Sequence, residues 1–314
     1  MNFQQLRAVQ EAVKRGLNLT DVAAALHTSQ PGVSRQIREL EDELQVQIFE
    51  RTGKRLTRVT EPGKAVLPII ERMLLDAQNL QRVAQDFSER DTGGLAIAAT
   101  HSQARYALPG AVKDLRALYP MVTLNLHQGS PHQIARLLIE GEADIGIATE
   151  ALAGYEPLLA LPSYRWTHCV IAPHGHELLD GSPLTVERLA RHPIVTYEPG
   201  FTGRSHIDAA FEREDLRPNI VISAMDADVV KTYVALGVGV GIVAGFAYDA
   251  DRDRDLGAVE AGHLFEINTT RLAIRRGTRL RNYAYAFIET FAPTLTRAVV
   301  EEALAHADPF SYDA

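Results

Sequence analysis

A chain of 314 residues, 46% hydrophobic and 23% charged, has an ordinary globular composition and enough length for two or three domains with real cores. No apolar run approaches membrane-spanning length, the start Met-Asn-Phe-Gln-Gln-Leu-Arg lacks the basic-then-apolar order of a secretory signal, and the single cysteine, Cys169, excludes an internal disulfide framework. A cytoplasmic protein without membrane contact is expected. The formal charge of −8 counts against nucleic acid only on average, because residues 1–90 hold 13 Lys and Arg against 12 Asp and Glu and the remainder 19 against 28. A small, locally basic reader joined to an acidic body fits that split.

Phe3 to Arg15 predicts a supporting helix ending at Gly16, with Leu6, Val9, Gln10 and Val13 on one side. Leu19 to Leu40 predicts two short helices joined by a tight turn. Thr20 is the expected cap of the first, and its small Ala23, Ala24 and Ala25 let two helices cross closely. Ser29 is the expected cap of the second, with Pro31 in its first turn, where a missing N–H costs nothing. Val33, Ile37, Leu40 and Leu44 step by four, three and four into one buried stripe. The opposite face carries Gln30, Ser34, Arg35 and Arg38, donors for phosphates and base edges. This is the pattern of a helix-turn-helix with its recognition helix starting at Ser29; a helical hairpin with a merely polar outer face is the alternative.

Residues 46–60 form two short runs around Thr52-Gly53 and predict a hairpin, or wing, carrying Arg51, Lys54, Arg55 and Arg58 within eight positions. Such a wing lies along a phosphate backbone, or is a solvated basic turn. Thr60 and Pro62 open a long helix to about Arg90. Its Val66, Ile70, Met73, Ala77, Leu80, Ala84 and Phe87 form a heptad seam. That seam is expected to pair with a second copy; packing against the chain's own body is the alternative. Asp91-Thr-Gly-Gly94 marks a boundary.

Taken together, Ser29-Gln-Pro-Gly-Val-Ser-Arg-Gln-Ile-Arg-Glu-Leu-Glu41, Phe49-Glu-Arg51 and Val59-Thr-Glu-Pro-Gly63 resemble the N-terminal region of LysR-type transcriptional regulators, and the likeness continues to about residue 300. The resemblance implies an α/β protein. It would have an all-α winged helix-turn-helix (residues 1–59), a dimerising linker helix (60–92) and a two-lobed effector domain like bacterial solute-binding proteins (93–314). Lobe I would span about 93–164 and 267–300, and lobe II about 165–266. It places Thr28, Ser29, Gln30, Pro31, Ser34, Arg35 and Arg38 at double-stranded DNA, and Arg51 and Arg55 in the wing. A homodimer or homotetramer is implied, and contact with RNA polymerase is allowed.

From Leu95 onward strands alternate with helices. Leu95–Ala99, Val122–Leu126 and Ala143–Ala148 are predicted strands, separated by helices through Val112, Leu115 and Leu118 and over Gln133–Glu140. This reads as a parallel βαβαβ unit. A second unit uses Thr167–Ala172, Ile194–Tyr197, Asn219–Ser223 and Val238–Val243, with helices after Gly203 and from Asp226. Leu264–Arg275 reads as a returning strand, and Asn282 to about Ala305 as one closing helix. Thr100-His101-Ser102-Gln103, Thr149 and Thr202-Gly203 fall where strands end and helices begin. Parallel sheets bind ligands there, and helix N-termini offer N–H groups to anions. Neutral hydroxyl and amide donors suit a small desolvated anion such as sulfate; ordinary helix caps are the alternative.

Thr100-His-Ser-Gln-Ala-Arg-Tyr-Ala-Leu-Pro109, His127-Gln-Gly-Ser-Pro131, Ala148-Thr-Glu-Ala-Leu152 and Asp226-Ala-Asp-Val-Val-Lys-Thr-Tyr233 resemble, more narrowly, the CysB branch of that family, which governs sulfur assimilation and cysteine synthesis. There an acetylated serine induces, while sulfate and thiosulfate occupy or antagonise the cleft. Carried over by position, Thr100, Ser102, Gln103, Thr149 and Thr202 would bind the anion. Position 102 is threonine in the branch pattern, so serine keeps the hydroxyl and loses a methyl contact. Glu150 beside an anion should point away or meet a ligand's amine.

Other features carry less. His174-Gly-His176 has metal-like spacing without a third ligand nearby. Ser205, His206 and Asp208 have triad residue types but no nucleophile elbow. Asp249 to Asp255 with Glu260 mimics a calcium loop, yet Arg254 stands where glycine should turn the chain. Gly237-Val-Gly-Val-Gly241 follows a helix, whereas a dinucleotide fingerprint precedes one. Cys169 reads as a core residue. The expectation is a regulator without catalysis, cofactor or metal, controlling sulfur genes in response to sulfate, thiosulfate or acetylserine. A regulator of another pathway with another anion, a ligand-binding protein that no longer reads DNA, and an enzyme using the cleft are the alternatives.

Overall fold

The computed structural model describes residues 1–86, 92–201 and 203–307, and the chain divides into two compact units, Met1–Glu89 and Arg90–Ala314. In the first, α1 (Phe3–Lys14) opens on a capping box between Asn2 and Gln5. The next helix, α2 (Leu19–Ala25), is capped by Asn18, whose side chain accepts from the Thr20 N–H at 3.1 Å. The cap therefore sits two residues before the Thr20 expected for it. Helix α3 (Gln30–Leu44) is capped by Ser29, which accepts from the Gly32 N–H at 3.2 Å. Its Val33, Ile37 and Leu40 are fully buried against Leu6, Val9 and Val22, each such side chain contributing roughly 1.5–3 kcal/mol. Leu44 is 38% exposed: α3 ends on Gln45 in the left-handed conformation, so the stripe stops a turn early.

Strands β1 (Phe49–Thr52) and β2 (Arg55–Val59) form the expected antiparallel hairpin, turning on Gly53 at φ +63°. Thr60 starts α4 (Glu61–Asp86) by accepting from the Gly63 N–H at 2.9 Å. The heptad seam divides along α4. Ile70 is buried in the head's own core, with Val66 and Met73 packed against it and off-seam Leu74 buried alongside, whereas Leu80 is 71% exposed and Ala84 is also exposed. Only its later half is left uncovered, because the first turns serve the fold of the head. The predicted seam residue Phe87 and helix end Arg90 lie outside the described residues.

The second unit holds two five-stranded sheets. The first has the order β4-β3-β5-β12-β6, from β3 (Gly93–Ala99), β4 (Val122–Gln128), β5 (Ile145–Ala148), β6 (Leu158–Trp166) and β12 (Asn268–Arg275). The second has the order β11-β7-β10-β8-β9, from β7 (His168–Pro173), β8 (Ile194–Tyr197), β9 (Ile220–Ala224), β10 (Val240–Ala244) and β11 (Leu256–Glu260). Neither is purely parallel. In the first, β4, β3 and β5 run parallel but β12 and β6 pair antiparallel; in the second, β7 and β11 are the antiparallel members. Strands β6 and β11 have no counterpart in the sequence reading.

Helices α5 (Leu108–Leu118) and α10 (Asn282–Phe291) cover one face of the first sheet and α6 (Pro131–Glu140) the other. Helices α7 (Val186–Leu189), α8 (Arg204–Arg213) and α9 (Ala227–Ala235) flank the second. The closing helix expected from Asn282 to about Ala305 is two, α10 and α11 (Arg297–Ala307), since Pro293 cannot continue the first. Backbone passes between the lobes twice, at residues 166–168 and 261–268. The two passages lie side by side: Asn268 is in register with Trp166, and the Ala261 N–H reaches the His168 carbonyl at 3.1 Å. Lobe II is thus an insertion within lobe I.

Candidate functional site

On the head, Thr28, Ser29, Gln30, Pro31, Arg35 and Arg38 are exposed and Ser34 is half-buried, on the side of α3 away from its buried stripe. Arg35 pairs with Glu39 at 2.7 Å, and Gln5 donates to the same carboxylate at 3.3 Å. Arg35 first, then Gln5, hold the Glu39 carboxyl below its ordinary value. An exposed pair of this kind is weak and screened by solvent, so it leaves Arg35 available to another partner. A groove of about 430 Å³ runs along this face, lined by Gln30, Pro31, Ser34, Arg38 and, from the wing tip, Lys54. A neighbouring hollow includes Lys54 and Arg55. Lys54 lines the same groove as the polar face of α3, and its place in the basic tetrad of the wing was the signal for it.

Arg51 is placed differently from its wing neighbours. Its guanidinium reaches Glu41 at 3.0 Å with only 18% of the side chain exposed. Buried Glu41 also accepts the backbone N–H groups of Ile48 and Phe49 at 2.9 and 3.0 Å. One carboxylate on the recognition helix therefore fixes both the entry to the wing and its first arginine.

In the body, Thr100 and Thr149 follow β3 and β5, adjacent parallel strands, and the Thr100 N–H reaches the Ile147 carbonyl at 3.2 Å. A helical stretch from residue 101 passes through a π-helical turn, Gln103–Ala107, into α5. Such turns are rare and concentrate at functional sites. Thr100, Ser102 and Gln103 are each 1% exposed. The Thr100 and Ser102 hydroxyls make no well-formed hydrogen bond, although Ser102 lies close enough to the buried Tyr197 phenol to act on it, and Thr149 makes no side-chain cap to the turn it precedes. Ordinary capping does not account for these groups. Gln103 is held at both ends of its carboxamide, donating to Thr270 at 2.9 Å and accepting from Tyr164 at 2.5 Å, while Trp166 also donates to Thr270 at 3.1 Å. Thr202 lies outside the described residues.

From lobe II, α8 begins on Gly203 with no side-chain cap. Gly203 has φ +70°, and a Cβ there would stand 2.3 Å from Asn268 Oδ1 and 2.7 Å from the His168 ring, so the helix start fits tightly onto both passages between the lobes. His168 and Asn268 are fully buried, and Asn268 Oδ1 lacks a partner. Burial pushes the nearby Tyr197 phenol above its ordinary value. The Glu150 carboxylate is taken up by the backbone N–H of Thr269. Sequence reasoning missed His168, Asn268, Thr270, Tyr164 and Trp166, because they converge only through the crossing strands.

The remaining motifs have structural partners. His174 meets the Arg254 carbonyl at 2.9 Å, and His176 caps Leu178. Asp208 pairs with Arg204 at 2.8 Å, and His206 meets the Glu266 carbonyl at 3.3 Å. Asp253 accepts from Lys231 and from the Asp249 N–H, closing the acidic loop on itself. Gly239 approaches the Pro193 carbonyl, where a Cβ would come within 2.4 Å, and so serves packing at the turn into β10. Burial pushes the Cys169 thiol up to about 12, an unreactive core position. Among the described residues no helix is long and apolar enough to cross a membrane.

Residues 3–64 match the family described as bacterial regulatory helix-turn-helix protein, lysR family, and residues 88–296 match the LysR substrate binding domain. The chain is 55% identical over 307 residues to the HTH-type transcriptional regulator SsuR of Burkholderia cenocepacia, covering 98% of this chain and 100% of that one. It is 49% identical over 304 residues to the HTH-type transcriptional regulator CysB of the same organism, covering 97% of each. The crystal structure of the cofactor-binding domain of the Cbl transcriptional regulator superposes with a TM-score of 0.66 at 46% identity, covering 68% of this chain and 93% of that one.

Proposed function

Because this chain belongs to the LysR family of bacterial helix-turn-helix transcriptional regulators, we propose that it controls genes of sulfur assimilation in the cytoplasm by reading promoter half-sites and sensing a small sulfur-related anion between its lobes. Relatives named SsuR, CysB and Cbl support the pathway. The observation that carries the effector reading is the pair of buried hydroxyls, Thr100 and Ser102, with no well-formed protein hydrogen bond. A buried donor left unmade costs about 1–3 kcal/mol, which a bound oxyanion recovers. Thr149, Thr202 and the N–H groups at the start of α8 complete the donor set, and Gln103 serves chiefly as support. Sulfate, thiosulfate and acetylserine all present the required acceptor oxygens.

On the DNA side, Gln30, Ser34, Arg35 and Arg38 enter the major groove, Thr28, Ser29 and Pro31 lie at its lip, and Lys54 and Arg55 engage phosphates from the wing. Arg51 orients the wing rather than touching DNA. The uncovered half of α4, with Leu80 and Ala84, pairs with a second copy and sets two heads at the spacing of two half-sites. Homotetramer formation and contact with RNA polymerase follow in the same reading.

The test has two arms. Affinity for a promoter fragment with two half-sites should exceed that for random duplex by at least about a thousandfold and fall steeply with salt; equal affinity sinks the DNA reading. Millimolar sulfate, thiosulfate or acetylserine should raise the melting temperature, and the absence of any shift with all three sinks the effector reading.

A further inference from the structure

The π-helical turn Gln103–Ala107 faces two ways. At its start Ser102 presents a hydroxyl with no well-formed hydrogen bond, and Gln103 is fastened to Thr270 and Tyr164. One helical turn later, Tyr106 crosses to the other lobe and donates its hydroxyl to Asp228 on α9 at 2.6 Å. Lys231, one turn along α9, holds its amine 4.9 Å above the Tyr106 ring while donating to the Ala247 carbonyl at 3.0 Å and to Asp253 at 3.1 Å. Arg105 reaches Asp228 at 3.4 Å from a largely exposed position. A ring nitrogen of His101 and carboxylate oxygens of Asp226 and Asp228 also lie within 4.8 Å of one another.

We propose that Tyr106 and Asp228 form an inter-lobe latch that converts occupation of the hydroxyl site into closure of the two lobes. The proposal rests on the reading of Thr100 and Ser102 as the anion site. A phenol donating to a carboxylate at this distance is a charge-assisted bond, among the stronger kinds a protein makes. Lys231 is anchored in lobe II by the Ala247 carbonyl, Asp253 and Asp228 and meets Tyr106 from there. The ligand hydroxyl and the latch phenol sit on one turn whose start cannot slide, because Gln103 is tied at both ends. The Tyr106–Asp228 bond already holds the lobes together here, so an anion that joins Ser102 to lobe II favours the same closed arrangement, and an open one loses both contacts together. That gives the ligand the differential affinity between open and closed states without which it could shift nothing.

The experiment uses the full chain with labels on introduced cysteines at exposed Lys113 in lobe I and Glu214 in lobe II, buried Cys169 staying unlabelled. Pulsed dipolar spectroscopy reads the distance between lobes, and titration with sulfate reads affinity. Tyr106→Phe, which keeps the ring, should lengthen or broaden the ligand-free distance and weaken sulfate binding about tenfold. Asp228→Asn should do the same, and the double variant should be no worse than either single one. An unchanged ligand-free distance in Tyr106→Phe, or additive losses in the double variant, overturns the latch alone. A parent chain that closes on no addition of sulfate overturns the site reading, and with it the coupling.

Discussion

Two buried polar clusters, one around Glu41 in the head and one at Thr100 and Ser102 in lobe I, are treated in opposite ways. In the head, the Glu41 carboxylate collects two backbone N–H groups and a guanidinium. In lobe I, two hydroxyls as deeply buried make no well-formed hydrogen bond. Buried polar groups are almost always paired, so a satisfied one reports architecture and an unsatisfied one is a place to look for a ligand, the reading proposed above for Thr100 and Ser102. Under the proposed function, the contrast separates residues that shape the DNA-reading surface from residues that receive the effector.

The sharpest way to break the contrast is Glu41→Ala. It strands two N–H groups and Arg51, and should cost the head about 3 kcal/mol, the low end for a broken buried pair because Arg51 is partly exposed. Urea unfolding followed by hydrogen exchange at Ile48 and Phe49 measures it, and a loss under about 1 kcal/mol would remove Glu41 from its assigned role. Gly203→Ala comes next. A left-handed φ and a Cβ 2.3 Å from Asn268 should cost about 1–3 kcal/mol in thermal unfolding and abolish the sulfate response.

Thr100→Val and Ser102→Ala should leave ligand-free stability unchanged or raise it by up to about 1–3 kcal/mol, because no protein bond is lost and an unmet burial cost is relieved, yet eliminate the melting shift with sulfate. A large loss of ligand-free stability would show that the hydroxyls are structural after all. The smallest effect is in pH. Burial alone would raise the Asp228 carboxyl, but the Tyr106 hydroxyl and the Lys231 and Arg105 cations hold it below its ordinary 3.8. Its contribution is present above that value and is lost as pH falls through the depressed one. Burial would lower Lys231, but Tyr106 and Asp253 raise it above 10.5, so its contribution is present below that value and lost on the alkaline side. The latch should therefore hold an unchanged inter-lobe distance from about pH 5 to 9.

Periodicity made the helix-turn-helix and most central strands legible in the sequence, since Val33, Ile37 and Leu40 or Ile145 and Ile147 must face a core wherever they sit. The two missed strands are both sheet edges. Strand β6 tolerates Pro162 beside the bulge at Ser163, and a proline within a run speaks against a strand unless it lies at an edge. Strand β11 is short and follows a run of charges. Of the expected seam on α4, Val66, Ile70 and Met73 form a stripe, but a stripe does not say what covers it, and Ile70 went to the head while Leu80 did not. In the candidate site, hydroxyls at strand ends could be read locally. The partners of Gln103 could not, because Thr270 stands 167 positions away and reaches it only after lobe II has been made.

That insertion governs how the protein can be synthesised. Strand β12 lies between β5 and β6 in the finished sheet, yet it leaves the ribosome after all of lobe II. Until residue 275 emerges, β5 and β6 have open edges facing an empty slot, while the strands of lobe II, all contained between residues 168 and 260, can already close on one another. The nascent chain thus completes its second lobe before its first. Its period of greatest exposure to wrong strand pairing falls between those two events.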